Sequence, residues 1–73
     1  MKNSQQLYKA LYTSFVADKE EAKTTLQIFS ETPVGVAEHT SFVKDMREQV
    51  KKIAEAEESI QALESIKEIF GVK

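Results

Sequence analysis

Apolar side chains recur along this chain on steps of three and four. The first series runs Leu7, Leu11, Phe15, Ala22, Leu26 and Phe29, with Asp18 filling the step between Phe15 and Ala22. The second runs Val43, Met46, Val50, Ile53, Ile60, Leu63, Ile66 and Phe70. Residues three and four apart stack on one face of a helical turn, so each series predicts a helix with one apolar stripe. No alternating stretch is long enough to predict a strand. Interior glycine and proline are confined to Thr32-Pro33-Val34-Gly35, and the proline drives Thr32 out of helical geometry. The pattern predicts an all-α fold. Two long antiparallel helices form a helical hairpin joined by a loop around residues 31–40, and residues 1–73 make a single domain.

The predicted ends carry their own chemistry. Asn3 or Ser4 suits the cap of the first helix, and Thr40 or Ser41 that of the second, since their side chains accept orphan backbone N–H groups. Gly71 follows the last apolar residue, where a left-handed C-terminal position favours glycine. Val34 and Val36 are expected to pack back onto the hairpin end.

Composition changes the picture in one respect. The chain has 73 residues, 41% of them hydrophobic and 30% charged, with no cysteine. Disulfides and thiolate metal sites are thereby excluded, and two helices bury only the strip where they face each other. Chains this short are stabilised by cross-links, metal or association. Tyr8, Tyr12 and Val16 beside the first stripe, and Ala54, Ala62 and Ile69 beside the second, leave apolar surface to spare. A homo-oligomer is expected. The absence of a long apolar run predicts neither a signal peptide nor a membrane span, and a cytoplasmic location fits a chain without cysteine.

Catalytic chemistry finds little support. His39 is the single histidine, Ser41 near it lacks an orienting carboxylate, and no glycine-rich phosphate loop is present. Glu38-His39 offers too few ligands for a metal. The chain is expected to be no enzyme, to carry no cofactor and to bind no metal. A net charge of −2 also gives no electrostatic footprint for a DNA or RNA polymer. Charge is uneven along the second helix, however. Residues 44–52 hold four basic and two acidic side chains, and residues 55–68 hold five glutamates and one lysine. Most simply this is a solvated face; it also suits an antiparallel or head-to-tail assembly.

One face of the first helix is more specific. At about 100° per residue, Tyr8, Tyr12, Phe15, Lys19, Lys23 and Leu26 share a sector of about 80°. Rings stack on flat bases and lysines neutralise phosphate, so the face suits a nucleotide. Thr25 adds a hydroxyl donor. The same residues also suit an oligomer interface, with lysine stems lying over it. Tyr8 and Lys23 stand about 22 Å apart along a straight helix, so a small nucleotide touching both must lie between two chains.

The segment Pro33-Val34-Gly35-Val36-Ala37-Glu38-His39 is similar to one in small helical-hairpin proteins of large tailed bacteriophages. Tyr8, Lys23 and Thr25 stand at spacings resembling those of the binding residues in phage anti-CBASS cyclic-nucleotide sponges. The resemblance implies an all-helical hexamer that sequesters cyclic dinucleotides such as cGAMP in pockets between subunits. It thereby implies antagonism of bacterial CBASS immunity from the host cytoplasm. Within it Tyr8 stacks on a base, Lys23 lies near phosphate, Thr25 has a lesser polar role and Tyr12 supports the stacking wall. Ser41-Phe42-Val43-Lys44 departs from the Arg-Glu-rich start and tryptophan of that family's second helix, and Arg47 is the only arginine. The alternative is a coiled-coil-like protein-interaction module that docks on a host or virion protein through Tyr8, Tyr12 and Phe15.

Overall fold

The computed structural model describes residues 2–31 and 39–73. Helix α1 spans Lys2–Glu31 and helix α2 spans His39–Ser65, followed by a 3₁₀ turn over Lys67–Phe70. No strand occurs among the described residues. Four contacts fix the helices as antiparallel: Gln5 to Gly71, Tyr8 to Phe70, Lys19 to Glu57 and Phe29 to Phe42. The all-helical hairpin is as expected.

The stripe that faces the partner helix is not quite the expected one. Along α1 the buried and half-buried positions include Tyr8, Tyr12, Phe15, Lys19, Ala22, Leu26 and Phe29. Along α2 and the 3₁₀ turn they include Phe42, Met46, Gln49, Ile53, Ala56, Ile60, Leu63, Lys67 and Phe70. Both series alternate steps of four and three, the 3.5-residue repeat that keeps two helices in contact along their whole length. Leu7, Leu11, Val43, Val50 and Ile66, expected in the stripes, are instead exposed. The reason is periodic. Leu7-Leu11-Phe15 advances by four twice and drifts off the repeat, whereas Tyr8-Tyr12-Phe15-Lys19 holds it. Lys19 is tolerated in the seam because its stem lies along apolar surface while Nζ reaches Glu57 Oε2 at 3.0 Å.

Small residues sit at the middle of the seam. Ala22 is 2% exposed and Ala56 4%, and Leu63 at 5% completes the buried core among the described residues. Truncating Leu63 removes the largest of these side chains. Leu63→Ala is expected to destabilise the fold by about 2 kcal/mol or more, read from the urea midpoint.

The molecule is a rod of 55 × 15 × 13 Å. Its radius of gyration is 16.6 Å, against about 11 Å for a compact chain of this length. It exposes 5800 Å², where a compact protein of its mass exposes about 4600 Å². Much of the excess is apolar: Leu7 is 60% exposed, Val50 53% and Ile69 74%. Among the described residues there is no second layer to cover them.

The helix ends depart from the expected caps. Helix α1 starts at Lys2, so Asn3 and Ser4 lie inside its first turn. That end is held by the Gln5 side-chain amide, which donates to the Gly71 carbonyl at 3.1 Å, and by Tyr8 against Phe70. Helix α2 starts at His39, which places His39, Thr40 and Ser41 within the helix, as is Glu31 in α1. The Phe42 ring meets Phe29 edge-on at 5.2 Å. The connection is thus narrower than residues 31–40. Expectations for Pro33, Val34, Val36 and Glu38 lie outside the described residues.

At the other end α2 stops at Ser65, short of the Phe70 that the periodicity suggested. The Ser65 hydroxyl donates to the Ala62 carbonyl at 2.6 Å, and Ile66 leaves helical geometry at φ −117°, ψ 20°. The tighter turn that follows lays Phe70 on Tyr8. Gly71 then takes the expected left-handed conformation, φ 73° and ψ 22°. The Gly71 N–H donates to Glu68 O at 3.0 Å and the Val72 N–H to Lys67 O at 3.1 Å, which closes the end.

Candidate functional site

Two features lie along one flank of the rod. At the open end of the hairpin the Tyr8 and Tyr12 rings, four residues apart, tilt against each other with centroids at 6.2 Å. Tyr8 also meets Phe70 edge-on at 5.7 Å. Both tyrosines are half-buried. The Tyr12 hydroxyl donates to Glu64 Oε2 at 3.4 Å. Partial burial raises the Tyr8 phenol above its ordinary pKa, helped by the Glu64 carboxylate and by Tyr12, because each disfavours the phenolate. Tyr8 is therefore a neutral ring and a hydroxyl donor at physiological pH. These three rings form an aromatic shelf.

At the connection end the two helices frame a groove of about 890 Å³. Leu26, Val43, Met46 and Val50 give it a mostly apolar lining, to which Gln27, Ser30 and the cationic Lys23, Arg47 and Lys51 also contribute. The Lys23 ammonium lies 3.5 Å from Glu20 and that of Lys51 lies 3.7 Å from Glu48, both as exposed pairs within one helix. Arg47 makes no ion pair among the described residues.

Register shows which expected site residues share a surface. Tyr12 and Lys23 are eleven residues apart, close to three turns, so they project from the same side of α1. On α2, Val43, Val50, Glu57 and Glu64 follow at seven-residue intervals along one edge. Glu57 reaches Lys19 and Glu64 reaches Tyr12, so that edge borders the same flank. It is apolar and basic at the connection end, acidic and aromatic at the open end.

Thr25 lies elsewhere. Two residues from Lys23, it is turned by about 200° and sits on the opposite flank, near the line of Leu7. Its hydroxyl donates to the Glu21 carbonyl at 2.9 Å. Lys19, expected with Lys23 on the aromatic face, is engaged in the seam by Glu57. Within one chain the structure joins Tyr8 to Tyr12, but it joins neither to Lys23 nor Lys23 to Thr25.

Arg47, Lys51 and the apolar lining residues of the groove did not emerge from α1 alone. Their signal was the basic run at residues 44–52. The antiparallel pairing of the two helices brings that run beside residues 23–30, which a charge profile along one helix does not show.

Among the described residues, no cluster of three or more His, Asp or Glu is placed to hold a metal ion. No described helix is long and apolar enough to cross a membrane. No family model, curated protein or solved structure matches the chain.

Proposed function

We propose that this protein is a non-enzymatic binding protein that sequesters cyclic dinucleotides in pockets between its own copies. The observation that carries the reading is the division of one flank into an aromatic shelf at one end and an apolar, cationic groove at the other. Neither half suffices alone. A shelf without a cation holds a base but not its phosphate, and the groove is too far from Tyr8 to share a small ligand within one chain. An antiparallel second copy on this flank lays the acidic, aromatic end over the basic, apolar end twice, by the symmetry of a closed dimer. It also covers Val43 and Val50.

In that arrangement Tyr8 stacks on a base, Tyr12 backs it, and Lys23 of the other copy neutralises phosphate. Thr25 reaches the same ligand only from a different copy than the one that supplies Lys23. The opposite flank, with Leu7 and Leu11 exposed, provides surface for further copies and so for the hexamer implied by the resemblance. Binding without turnover lowers only free messenger, so affinity must be high, roughly nanomolar or about −12 kcal/mol. In this reading the place of action is the cytoplasm of a bacterial host, where sequestration blunts CBASS signalling.

A second reading draws on the opposite flank. Exposed Leu7 and Leu11 also suit a helix face that docks on another protein. A panel of cyclic di- and trinucleotides separates the two. The expected result is a raised thermal midpoint with at least one cyclic dinucleotide, and recovery of that ligand uncleaved after heat denaturation. Cleaved ligand would identify an enzyme, and no shift with any member would favour the docking module.

A further inference from the structure

The groove holds more charge than the single lysine of the proposed phosphate contact. We propose that Arg47 and Lys51 of α2 bind the ligand's phosphodiester groups together with Lys23, so that the anion site is built from both helices. This rests on the reading of the protein as a nucleotide-binding one and names residues which that reading does not require.

Three observations support it. First, the cations converge on one groove from both helices, with Lys23 on one wall and Arg47 and Lys51 on the other. Second, they are available. The Lys23–Glu20 and Lys51–Glu48 pairs are long, at 3.5 and 3.7 Å, and exposed, which makes them weak enough to yield to a phosphate. Arg47 has no carboxylate to leave among the described residues. Its planar guanidinium matches two phosphate oxygens at once, a geometry lysine does not offer. Third, the lining shared with the cations is mostly apolar: Leu26, Val43, Met46 and Val50. A mostly apolar lining with a few cations suits a flat base carrying an anionic linkage better than it suits a bare inorganic anion or an acidic peptide.

Division of the cations follows from ligand geometry. A cyclic dinucleotide carries two phosphodiesters on one ring. Lys23 serves one, and Arg47, with Lys51 one helical turn further on, serves the other. Two negative charges then meet three positive ones, and the groove's excess of cations has a use.

The test measures cyclic GMP–AMP affinity by calorimetry for the wild-type protein and for Arg47→Ala, Arg47→Lys and Lys51→Ala, with the oligomeric state of each followed by sedimentation. Arg47→Ala is expected to weaken binding about tenfold or more, as fits loss of a charged hydrogen bond, and Arg47→Lys to restore part of it. Lys51→Ala is expected to weaken it less, with the assembly intact. Where Arg47→Ala alters the assembly, Arg47→Lys and Lys51→Ala decide. Unchanged affinity in both alanine variants would overturn the inference and leave the sequestration reading standing. If the wild-type protein binds no cyclic dinucleotide, ADP, a flat base carrying an anionic group, followed by methyl NMR of Leu26, Val43 and Met46 decides the groove separately. Shifts that vanish in Arg47→Ala would keep it as an anion site while the sequestration reading fails. Unmoved methyls would overturn both.

Discussion

Tyr8→Ala is expected to weaken cyclic-dinucleotide binding by roughly one to two orders of magnitude while the assembly persists. Loss of one base–aromatic stack costs roughly 1–3 kcal/mol, or about 5- to 150-fold in affinity. Lys23→Ala is expected to act as strongly, because it removes a charge-assisted hydrogen bond that only the bound anion completes. The two controls differ in what they preserve. Tyr8→Phe keeps the ring and its edge-on contact with Phe70, and should retain most of the affinity. Lys23 is exposed and its ion pair among the described residues is a weak one with Glu20, so Lys23→Ala should leave stability within about 0.5 kcal/mol of wild type. Calorimetry for affinity and sedimentation for assembly check both. Dissociation of the oligomer by Tyr8→Ala would show instead that the shelf is interface, as its place in the seam with Tyr12 and Phe70 permits.

The second large effect concerns association itself. A rod with three buried side chains among its described residues and a string of exposed leucine, isoleucine and valine is expected to be stable only when another surface covers it. The thermal midpoint should therefore rise with protein concentration, and sedimentation should find a species larger than the single chain at micromolar concentration. Leu7→Glu is the sharpest probe. Leu7 faces away from the seam at 60% exposure, so a carboxylate there costs a lone hairpin almost nothing. Within an interface it buries an unpaired charge, a loss of several kcal/mol, and should shift the chain to a partly unfolded monomer. If Leu7→Glu leaves both midpoint and mass unchanged, that flank faces solvent, and the assembly must use the Lys23 flank alone.

The sites and the fold differ in how far local spacing reveals them. The aromatic pair Tyr8 and Tyr12 was legible, since a four-residue step is a local fact that any helix preserves. Lys23 was legible as a cation on the same side as Tyr12 for the same reason. Its companions Arg47 and Lys51 were not, because no spacing within one helix says which residues of the other will stand opposite. Thr25 shows the converse. Its place two residues from Lys23 looks close in the chain, yet two residues turn the side chain about 200° around the axis and put it on the far flank.

The sequence by itself determined the two helices and the left-handed glycine at position 71. Each rests on interactions within a few residues: three-and-four spacing, and the absence of a Cβ where the chain must turn. Only the tertiary structure decided which of two adjacent stripes became the seam. A lone helix turns every 3.6 residues and favours Leu7 and Leu11 as readily as Tyr8 and Tyr12. Continuous contact with a partner demands a 3.5-residue repeat, and only the tyrosine series, with Lys19 reaching Glu57, meets it without drifting. That choice turned the leucines outward, and the antiparallel pairing set the basic run of α2 beside Lys23.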